Sequence, residues 1–319
     1  MHAFVTGADG FVGQWLLRRL LHDKAQVTGL IRASKPALVT LDATLAQRIE
    51  WRTCDIADAK GLRSLVRSCA PEVVFHLAAQ SFVPASQDHP LSTIETNVMG
   101  TTFLLEAVRA EASKATVLVV GSSDTYGAVS VDQLPLREDA PISPRNPYAA
   151  SKAAAEVIAL QYARAGWCRV MATRSFNHTG PGQSSAFAVA AFARQIAAIK
   201  AKRKEPVLEV GDLTPRRDFS DVRDVVDAYL MLVQAGETGS VYNVCSGKDR
   251  SMDEIVRELM RIACVKAEIR RKPELVRPIE TPVLRGDPSL IERQVGWKAV
   301  TPIERTLEDM LEYFSRAAA

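Results

Sequence analysis

Residues 2–13 read HAFVTGADGFVG, and this stretch decides the fold. A short apolar run comes first, Gly7, Gly10 and Gly13 follow, and an amphipathic pattern starts directly after them. In a strand–turn–helix unit of this kind, the first glycine permits a tight turn and the second lets the backbone approach a pyrophosphate, while the third lets the helix pack close to the strand. Free N–H groups at the start of the helix bind phosphate oxygens. The stretch therefore predicts a dinucleotide-binding turn.

Strand-like and helix-like segments alternate through the first half of the chain. The apolar runs HAFVT, AQVTGLI, VVFHLA, TVLVVGSS and CRVMATR alternate with helical patterns near 11–22, 58–68, 91–111 and 147–165. Such alternation predicts an α/β fold of the Rossmann type, a doubly wound parallel sheet with helices on both faces. The pattern changes after Arg174, which predicts a smaller, discontinuous C-terminal substrate lobe. We expect the sheet domain over 1–174 and about 219–246, and the lobe over about 175–218 and 247–319.

The composition argues against a nucleic-acid-binding protein and against a membrane protein. The 319 residues include 40 Lys and Arg and 37 Asp and Glu, a formal net charge of +3. This balance does not suggest a basic surface, and no apolar run approaches the ~18–20 residues of a membrane span. The five cysteines are scattered without the spacing of a metal site, which is typical of reduced thiols. We therefore expect a cytoplasmic protein with no bound metal.

The end of the second predicted strand, LIRASK, indicates which dinucleotide binds. Enzymes that prefer NAD place an acidic residue there to bind the ribose 2′-hydroxyl, and that carboxylate would repel a 2′-phosphate. This chain has Arg32 at the position, with Ser34 and Lys35 just beyond it. A guanidinium binds a phosphate bidentately, so the segment predicts NADP(H) rather than NAD(H) as the cofactor.

Tyr148 and Lys152 form the strongest catalytic pattern, Tyr-Ala-Ala-Ser-Lys. Residues four apart share one face of a helix, and a nearby ammonium favours the phenolate form of a tyrosine. Tyr148 could then exchange a proton with a substrate oxygen while hydride moves at carbon. Ser122 and Ser123 end the strand TVLVVGSS, where ligands lie in open parallel sheets. Each pattern alone also suits a solvated helix face or a turn, but their order along the chain favours hydride-transfer chemistry.

These segments together make the chain similar to the extended short-chain dehydrogenase/reductase family, which acts largely on nucleotide sugars. The resemblance is carried by TGADGFVG, Cys54-Asp55-Ile56, HLAAQS at 76–81, Asn97 before a long helix, SSDTYG and NPYAASK. It implies catalytic roles for Ser122, Tyr148 and Lys152. It also implies a cofactor site made of Gly7, Asp9, Gly10, Phe11, Val12, Gly13, Arg32, Asp55, Ile56, Leu77, Ala78, Ala79, Gln80, Asn97, Tyr148, Lys152 and Ser175.

The C-terminal half most resembles GDP-mannose 4,6-dehydratases and GDP-4-keto-6-deoxy-mannose reductases. The segments that carry this likeness are RSFNHTGPGQ, RRDFSDVRDVVDAYLML, GSVYNVCSG and RPIETPVLRGDPS. The likeness implies a GDP-sugar substrate, because arginines suit a diphosphate and a carboxylate suits the N–H donors of guanine. The implied substrate residues are Ser81, Ser123, Asn177, Val189, Arg194, Arg217, Arg277 and Glu280.

Asp124 bears on which of these two activities to expect. Dehydratases of this group carry Glu two residues after the catalytic Ser or Thr as an extra acid/base, whereas Asp124 is one methylene shorter. A misplacement of about 1 Å can cost about 10²-fold in rate. We therefore predict NADPH-dependent reduction of the C4 keto group of GDP-4-keto-6-deoxy-D-mannose, with Asp124 shaping the sugar site. A GDP-mannose 4,6-dehydratase and a non-catalytic NADP-binding sensor are the alternatives.

Apolar residues on the helices near 93–111 and 148–165 predict a homodimer. These residues offer more apolar surface than one sheet face can cover, and the family likeness implies a four-helix interface. The residues concerned are Phe103, Leu104, Val108, Ile158, Ala159 and Tyr162.

Overall fold

The computed structural model describes residues 1–276 and 281–317 and confirms the alternation of strands and helices. The strands are β1 (His2–Thr6), β2 (Gln26–Ile31), β3 (Glu50–Thr53), β4 (Val73–His76), β5 (Thr116–Ser122), β6 (Arg169–Ser175), β7 (Asn177–Thr179), β8 (Val207–Val210), β9 (Arg216–Asp221), β10 (Val241–Val244), β11 (Asp249–Ser251), β12 (Glu268–Arg271) and β13 (Val283–Leu284). The helices are α1 (Phe11–His22), α2 (Ala43–Ala46), α3 (Ala59–Cys69), α4 (Val83–Asp88), α5 (Pro90–Ile94), α6 (Gly100–Glu111), α7 (Pro147–Arg164), α8 (Ala188–Lys200), α9 (Val222–Ala235), α10 (Met252–Ala263), α11 (Ser289–Val295) and α12 (Ile303–Ala317).

A parallel sheet of seven strands organises the described part of the chain. Its strand order is β10-β6-β5-β4-β1-β2-β3, and the pairs are all parallel. The chain builds outward from β1 on one side and from β4 on the other, so the order reverses between these two strands. Ligands of open α/β sheets bind at this switch point, outside the carboxyl ends of the strands. The fold is the predicted doubly wound Rossmann sheet.

Apolar side chains cover both faces of this sheet. One face packs under α1 and α9, with Leu16, Leu17 and Tyr229 fully buried. The other face packs under α3, α6 and α7, with Leu62 and Leu104 fully buried. Because both faces are covered, the central strands are apolar along their whole length rather than alternating, as the sequence runs suggest.

A second apolar core belongs to the smaller lobe. Helices α8, α10 and α12 pack around the parallel pair β8 and β12, and their core includes Ile196, Leu208 and Leu307. One segment differs from the predicted boundaries, because Ile291 and Trp297 pack into the core of the sheet domain. The indole of Trp297 donates a hydrogen bond of 2.8 Å to the backbone oxygen of Asp224 on α9. The chain therefore returns to the sheet domain before it ends in the lobe with α12.

The buried carboxylate of Asp218 ties the lobe to the sheet domain. Its Oδ1 accepts hydrogen bonds from the backbone N–H and the hydroxyl of Ser246, at 2.8 and 2.6 Å. Its Oδ2 accepts from the N–H groups of Gly247 and Gly286, at 2.9 and 3.4 Å. Asp218 lies on β9, the Ser246-Gly247 pair follows β10, and Gly286 follows β13. One carboxylate thus joins three separate stretches of chain at the boundary.

The segment near 91–111 is broken where the sequence predicts one helix. Helix α5 ends at Ile94, a π-helical turn occupies Glu95–Met99, and α6 begins at Gly100. Turns of this kind are rare and occur often at functional sites. In the described residues, no helix is both long enough and apolar enough to cross a membrane.

The helices of the predicted dimer interface bury much of their apolar surface inside the chain itself. Leu104, Val108, Ala159 and Tyr162 all lie in the core under the second sheet face, because α3, α6 and α7 pack against one another there. The argument from unused apolar surface therefore fails for these four residues. Other apolar side chains of the same helical region are exposed: Leu91 (81%), Val157 (56%), Ile94 (45%) and Met99 (42%).

Candidate active site

A cleft of about 1340 Å³ lies at the carboxyl ends of the parallel strands, between the sheet domain and the lobe. Its lining includes most of the residues predicted for the cofactor: Gly7, Asp9, Gly10, Phe11, Val12, Gly13, Arg32, Asp55, Ile56, Leu77, Ala78, Ala79, Gln80, Tyr148, Lys152 and Ser175. The lining also includes most of those predicted for catalysis and substrate: Ser81, Ser122, Ser123, Asp124, Asn177, Val189 and Arg217.

The glycine turn fits a dinucleotide pyrophosphate. Gly7 has a φ of +66°, which favours glycine. The N–H of Gly10 donates to the carbonyl oxygen of Gly7 at 3.1 Å. A Cβ on Gly13 would lie 2.3 Å from the same oxygen, so the helix can approach the turn this closely only with glycine at the position. No side chain caps the start of α1 at Gly10. The first N–H groups of the helix are thus open to phosphate oxygens.

Arg32 and Asp55 line the part of the cleft that follows strands β2 and β3. Arg32 is exposed, and among the residues that the structure describes it has no acidic partner. Its guanidinium is therefore available to an anion. Asp55 accepts a hydrogen bond of 2.9 Å from the N–H of Ala57, which fixes the turn that presents Asp55 and Ile56 to the cleft.

The three predicted catalytic side chains meet where α7 crosses β5. Asn146 caps α7, since its Oδ1 accepts from the N–H of Ala149 at 2.8 Å, and this cap places Tyr148 in the first turn of the helix. The phenol of Tyr148 lies close to the hydroxyl of Ser122, the last residue of β5, and this hydroxyl acts to lower the pKa of the phenol. One turn further along, the ammonium of Lys152 donates to the backbone oxygen of Val120 on the same strand.

The electrostatics of Tyr148 differ from the prediction. Burial and the carboxylate of Asp124 raise the pKa of the phenol above its usual range, and the hydrogen bond from Ser122 opposes them. The sequence instead predicts that Lys152 lowers this pKa. Burial removes the water that would solvate a phenolate, and the like charge of Asp124 destabilises the phenolate further. Tyr148 is therefore held as a neutral phenol that can donate a proton.

Lys152 is also buried, and this burial lowers the pKa of its ammonium to about 8. At neutral pH the group is still mostly charged, because a pKa of about 8 lies above the ambient value. A largely charged ammonium one helical turn from Tyr148 can interact with negative charge that develops on the phenol oxygen.

Two residues predicted for the site lie outside the cleft. Asn97, placed by the π-helical turn, binds both backbone groups of Gln80: its Oδ1 accepts from N–H at 2.8 Å and its Nδ2 donates to the carbonyl at 3.0 Å. It thus supports a residue of the cleft wall and does not line the cleft. Arg194 is exposed on α8, because the helix turns Val189, Phe192 and their neighbours toward the cleft instead. Arg277 and Glu280 lie outside the described residues.

The sequence reasoning missed polar residues that the lobe contributes to the cleft, namely Gln183, Gln195, Glu209 and Asp212. Gln195 binds both backbone groups of Glu209, donating at 2.9 Å and accepting at 3.1 Å. The sequence does contain a pattern that could have identified Gln195. Gln195 lies three residues after Phe192 on an apolar helix face, where a polar side chain needs a partner.

Comparison with known proteins decides the family. The family described as GDP-mannose 4,6 dehydratase matches residues 4–310. The chain belongs to this family.

Two relatives show which activity this member of the GDP-mannose 4,6-dehydratase family resembles more in sequence. A GDP-6-deoxy-D-mannose reductase from Pseudomonas aeruginosa is 43% identical over 97% of this chain and 95% of that protein. A GDP-mannose 4,6-dehydratase from Yersinia enterocolitica is 28% identical over 97% of this chain and 92% of that protein. The family member is thus clearly more similar to this reductase than to this dehydratase.

A solved structure agrees with the fold of this GDP-mannose 4,6-dehydratase family member. The structure of RMD from Pseudomonas aeruginosa complexed with NADPH matches with a TM-score of 0.85 and 36% identity, and the match covers 99% of each chain. The fold of this family member is therefore the extended short-chain dehydrogenase/reductase fold that the sequence resembles.

Proposed function

We propose that the protein is an NADPH-dependent reductase of the C4 keto group of GDP-4-keto-6-deoxy-D-mannose, with GDP-D-rhamnose as product. The observation that carries this proposal is the 43% identity to the Pseudomonas aeruginosa GDP-6-deoxy-D-mannose reductase over nearly the full length of both chains. The meeting of Ser122, Tyr148 and Lys152 in one cleft supports it, because ketone reduction needs a proton donor and a group that orients the carbonyl.

In this proposal the sheet domain holds the cofactor and the lobe completes the sugar-nucleotide site. The glycine turn would bind the pyrophosphate, Arg32 a 2′-phosphate, and Asp55 with Ile56 the adenine. The open N–H groups at the start of α1 support these assignments, as does the guanidinium of Arg32, which has no acidic partner among the described residues. NADPH, when bound, supplies the hydride that goes to C4.

The residues of the chain then perform the proton transfer. Tyr148 protonates the C4 oxygen, since its raised pKa keeps the phenol neutral until substrate arrives. Ser122 hydrogen-bonds the same oxygen and orients it. Lys152 would hold the nicotinamide ribose.

Asp124 helps to keep Tyr148 in its acid form in this arrangement. Its carboxylate raises the pKa of Tyr148 and also interacts with the guanidinium of Arg217, which lines the cleft. A carboxylate in this position supports the acid form of Tyr148, which is the form that a reductase needs at the start of turnover. Asn177, Val189 and Arg217 would contact the GDP part of the substrate, along with Ser81 and Ser123 near the sugar.

The test is to incubate purified protein separately with the keto sugar and with GDP-mannose, each with NADPH. We expect one NADPH consumed per keto sugar and no turnover of GDP-mannose. Efficient conversion of GDP-mannose without added reductant would instead establish a 4,6-dehydratase, and binding of NADPH without turnover of either would establish a sensor. Proton couplings at C4 of the product distinguish GDP-D-rhamnose from GDP-6-deoxy-D-talose.

Replacing Arg32 by Ala should narrow the preference for NADPH over NADH. A charge-assisted contact is worth about 1.5–3 kcal/mol, so kcat/KM with NADPH should fall by roughly tenfold or more while the value with NADH changes little. Steady-state kinetics with both cofactors measure this. A wild-type enzyme that prefers NADH would contradict the assignment of Arg32.

We also propose a homodimer through α5, α6 and α7, in the cytoplasm. The exposed Leu91 and Val157 support the interface, and the five cysteines, all unpaired, suit a reducing compartment. Val157→Asp should convert the dimer to a monomer in light scattering, because it would bury an unpaired charge. Val300→Asp, at a residue 75% exposed and outside these helices, is the matched control and should leave the dimer intact. A wild-type monomer at micromolar concentration would contradict this proposal.

A further inference from the structure

The first turn of α1 contains a buried amide that the proposed reaction does not use. Gln14 is 1% exposed, and its Nε2 donates to the backbone oxygens of Asp9 at 2.7 Å and Ala37 at 3.1 Å. Its Oε1 accepts from the N–H groups of Val39 at 2.8 Å and Thr40 at 2.9 Å. This one side chain therefore connects the glycine turn to the stretch that follows β2.

That stretch, residues 33–41, borders the place where a 2′-phosphate would bind. It begins directly after Arg32 and includes the exposed side chains of Ser34 and Lys35. At its start the hydroxyl of Thr53 donates to the backbone oxygen of Ala33, at 3.3 Å. At its end the contacts to Gln14 hold the backbone from Ala37 to Thr40. The loop is thus held at both ends, and its exposed cationic and hydroxyl groups lie between them.

The contacts require an amide at residue 14. Two converging backbone N–H groups need an acceptor, and two backbone carbonyls need donors, and only a primary amide supplies both from one side chain. A carboxylate would accept from Val39 and Thr40 but would face the oxygens of Asp9 and Ala37. A leucine would leave all four backbone groups without this partner, and buried polar groups without partners are costly.

We propose that Gln14 is a positioning residue that sets the selectivity for cofactors with a 2′-phosphate, by holding the 33–41 loop in place beside Arg32. The inference rests on the proposed NADPH-dependent function. A loop that is already ordered binds its ligand without the loss of chain entropy that a mobile loop incurs. NADH, which lacks the 2′-phosphate, gains nothing from the ordered loop.

The test compares cofactor dissociation constants of the full-length wild type, Gln14→Leu and Gln14→Glu, measured by titration with NADPH and with NADH. In Gln14→Leu the affinity for NADPH should fall by about tenfold, which corresponds to the cost of ordering one backbone residue. The affinity for NADH should change little, so the selectivity ratio should fall. Gln14→Glu keeps the size of the side chain and should lower the same ratio, because a carboxylate faces the oxygens of Asp9 and Ala37 and loosens the loop. If Gln14→Leu does not fold, the selectivity ratio of Gln14→Glu is the measurement that tests the proposal.

Arg19→Ala is the matched control on the same helix. Arg19 is directed elsewhere, since its guanidinium pairs with the carboxylates of Asp23 and Asp227. The control should leave the selectivity ratio unchanged. Equal weakening of NADPH and NADH in the Gln14 variants would show a merely structural role and overturn the inference. A wild type without preference for NADPH would overturn the proposed cofactor itself, which is a separate result.

Discussion

Tyr148→Phe is expected to lower kcat for reduction of the keto sugar by about 10²–10⁴-fold, the usual contribution of general acid catalysis. The change removes the proton that the C4 oxygen must receive but keeps the aromatic ring that packs in the cleft. Cofactor affinity should therefore stay near the wild-type value. Stopped-flow oxidation of NADPH gives the rate, and a titration of the variant with NADPH gives the affinity. A variant that retains most of its kcat would exclude Tyr148 as the proton donor.

Asp124→Asn is the matched comparison for this prediction. Reduction at C4 needs no base for the C5 proton, so this change should affect kcat far less than Tyr148→Phe. Because the carboxylate raises the pKa of Tyr148, the amide should also move the alkaline limb of the pH–rate profile to lower pH. In a dehydratase, Asp124→Asn would be nearly as damaging as Tyr148→Phe, so a loss of that size would favour the alternative activity.

The second large effect concerns stability, at the ion pair of Glu156 and Arg174 beneath the site. The side chains are 2% and 5% exposed, and two hydrogen bonds of 2.9 and 2.7 Å join the guanidinium to the carboxylate. Glu156→Ala would leave the guanidinium buried without its counter-charge. Such a loss costs about 3–5 kcal/mol, a large share of the stability of an ordinary domain. The midpoint of urea unfolding, followed by circular dichroism, should fall accordingly.

Two further variants separate this explanation from a general sensitivity to substitution. Arg257→Ala breaks the exposed pair of Arg257 and Asp253 on α10 and should leave the midpoint almost unchanged. The double variant Glu156→Leu with Arg174→Met removes both charges and should be more stable than Glu156→Ala alone. If the double variant is no better than the single one, the unpaired charge is not the cause of the loss.

The sheet and its glycine turn could be predicted from the sequence because their signals are local. Apolar runs, glycine spacing and the four-residue spacing of Tyr148 and Lys152 each act within a few residues. The π-helical turn could not, since no local pattern marks it, and the partner of its Asn97 is Gln80, 17 residues away in the chain. The exposure of Arg194 outside the cleft lining has a related reason. A likeness in sequence carries over the residue type, whereas the face that it occupies on α8 depends on how the lobe packs.

The packing of residues 289–297 on the sheet domain could not be predicted either, because it also depends on tertiary contacts. The sequence of this short segment does not distinguish the core of the sheet domain from the core of the lobe, because an apolar residue such as Trp297 suits both. Its place is decided by the partner that its indole finds on α9. Gln14 carries no local signal either, because its partners at 37–40 are fixed only once the loop is folded against it.

The carboxylate of Asp218 has a mechanical consequence. From within β9 it fastens the stretches that follow β10 and β13, so a hinge rotation there would have to break several charge-assisted hydrogen bonds at once. Large-scale bending of the lobe about this junction is therefore disfavoured, and the amides of Ser246 and Gly247 belong among the slowest to exchange with deuterium. Movements that admit the sugar nucleotide must then come from the mouth of the cleft, where the edge-to-face rings of Phe82 and Phe187, with centroids 6.4 Å apart, bridge the two walls.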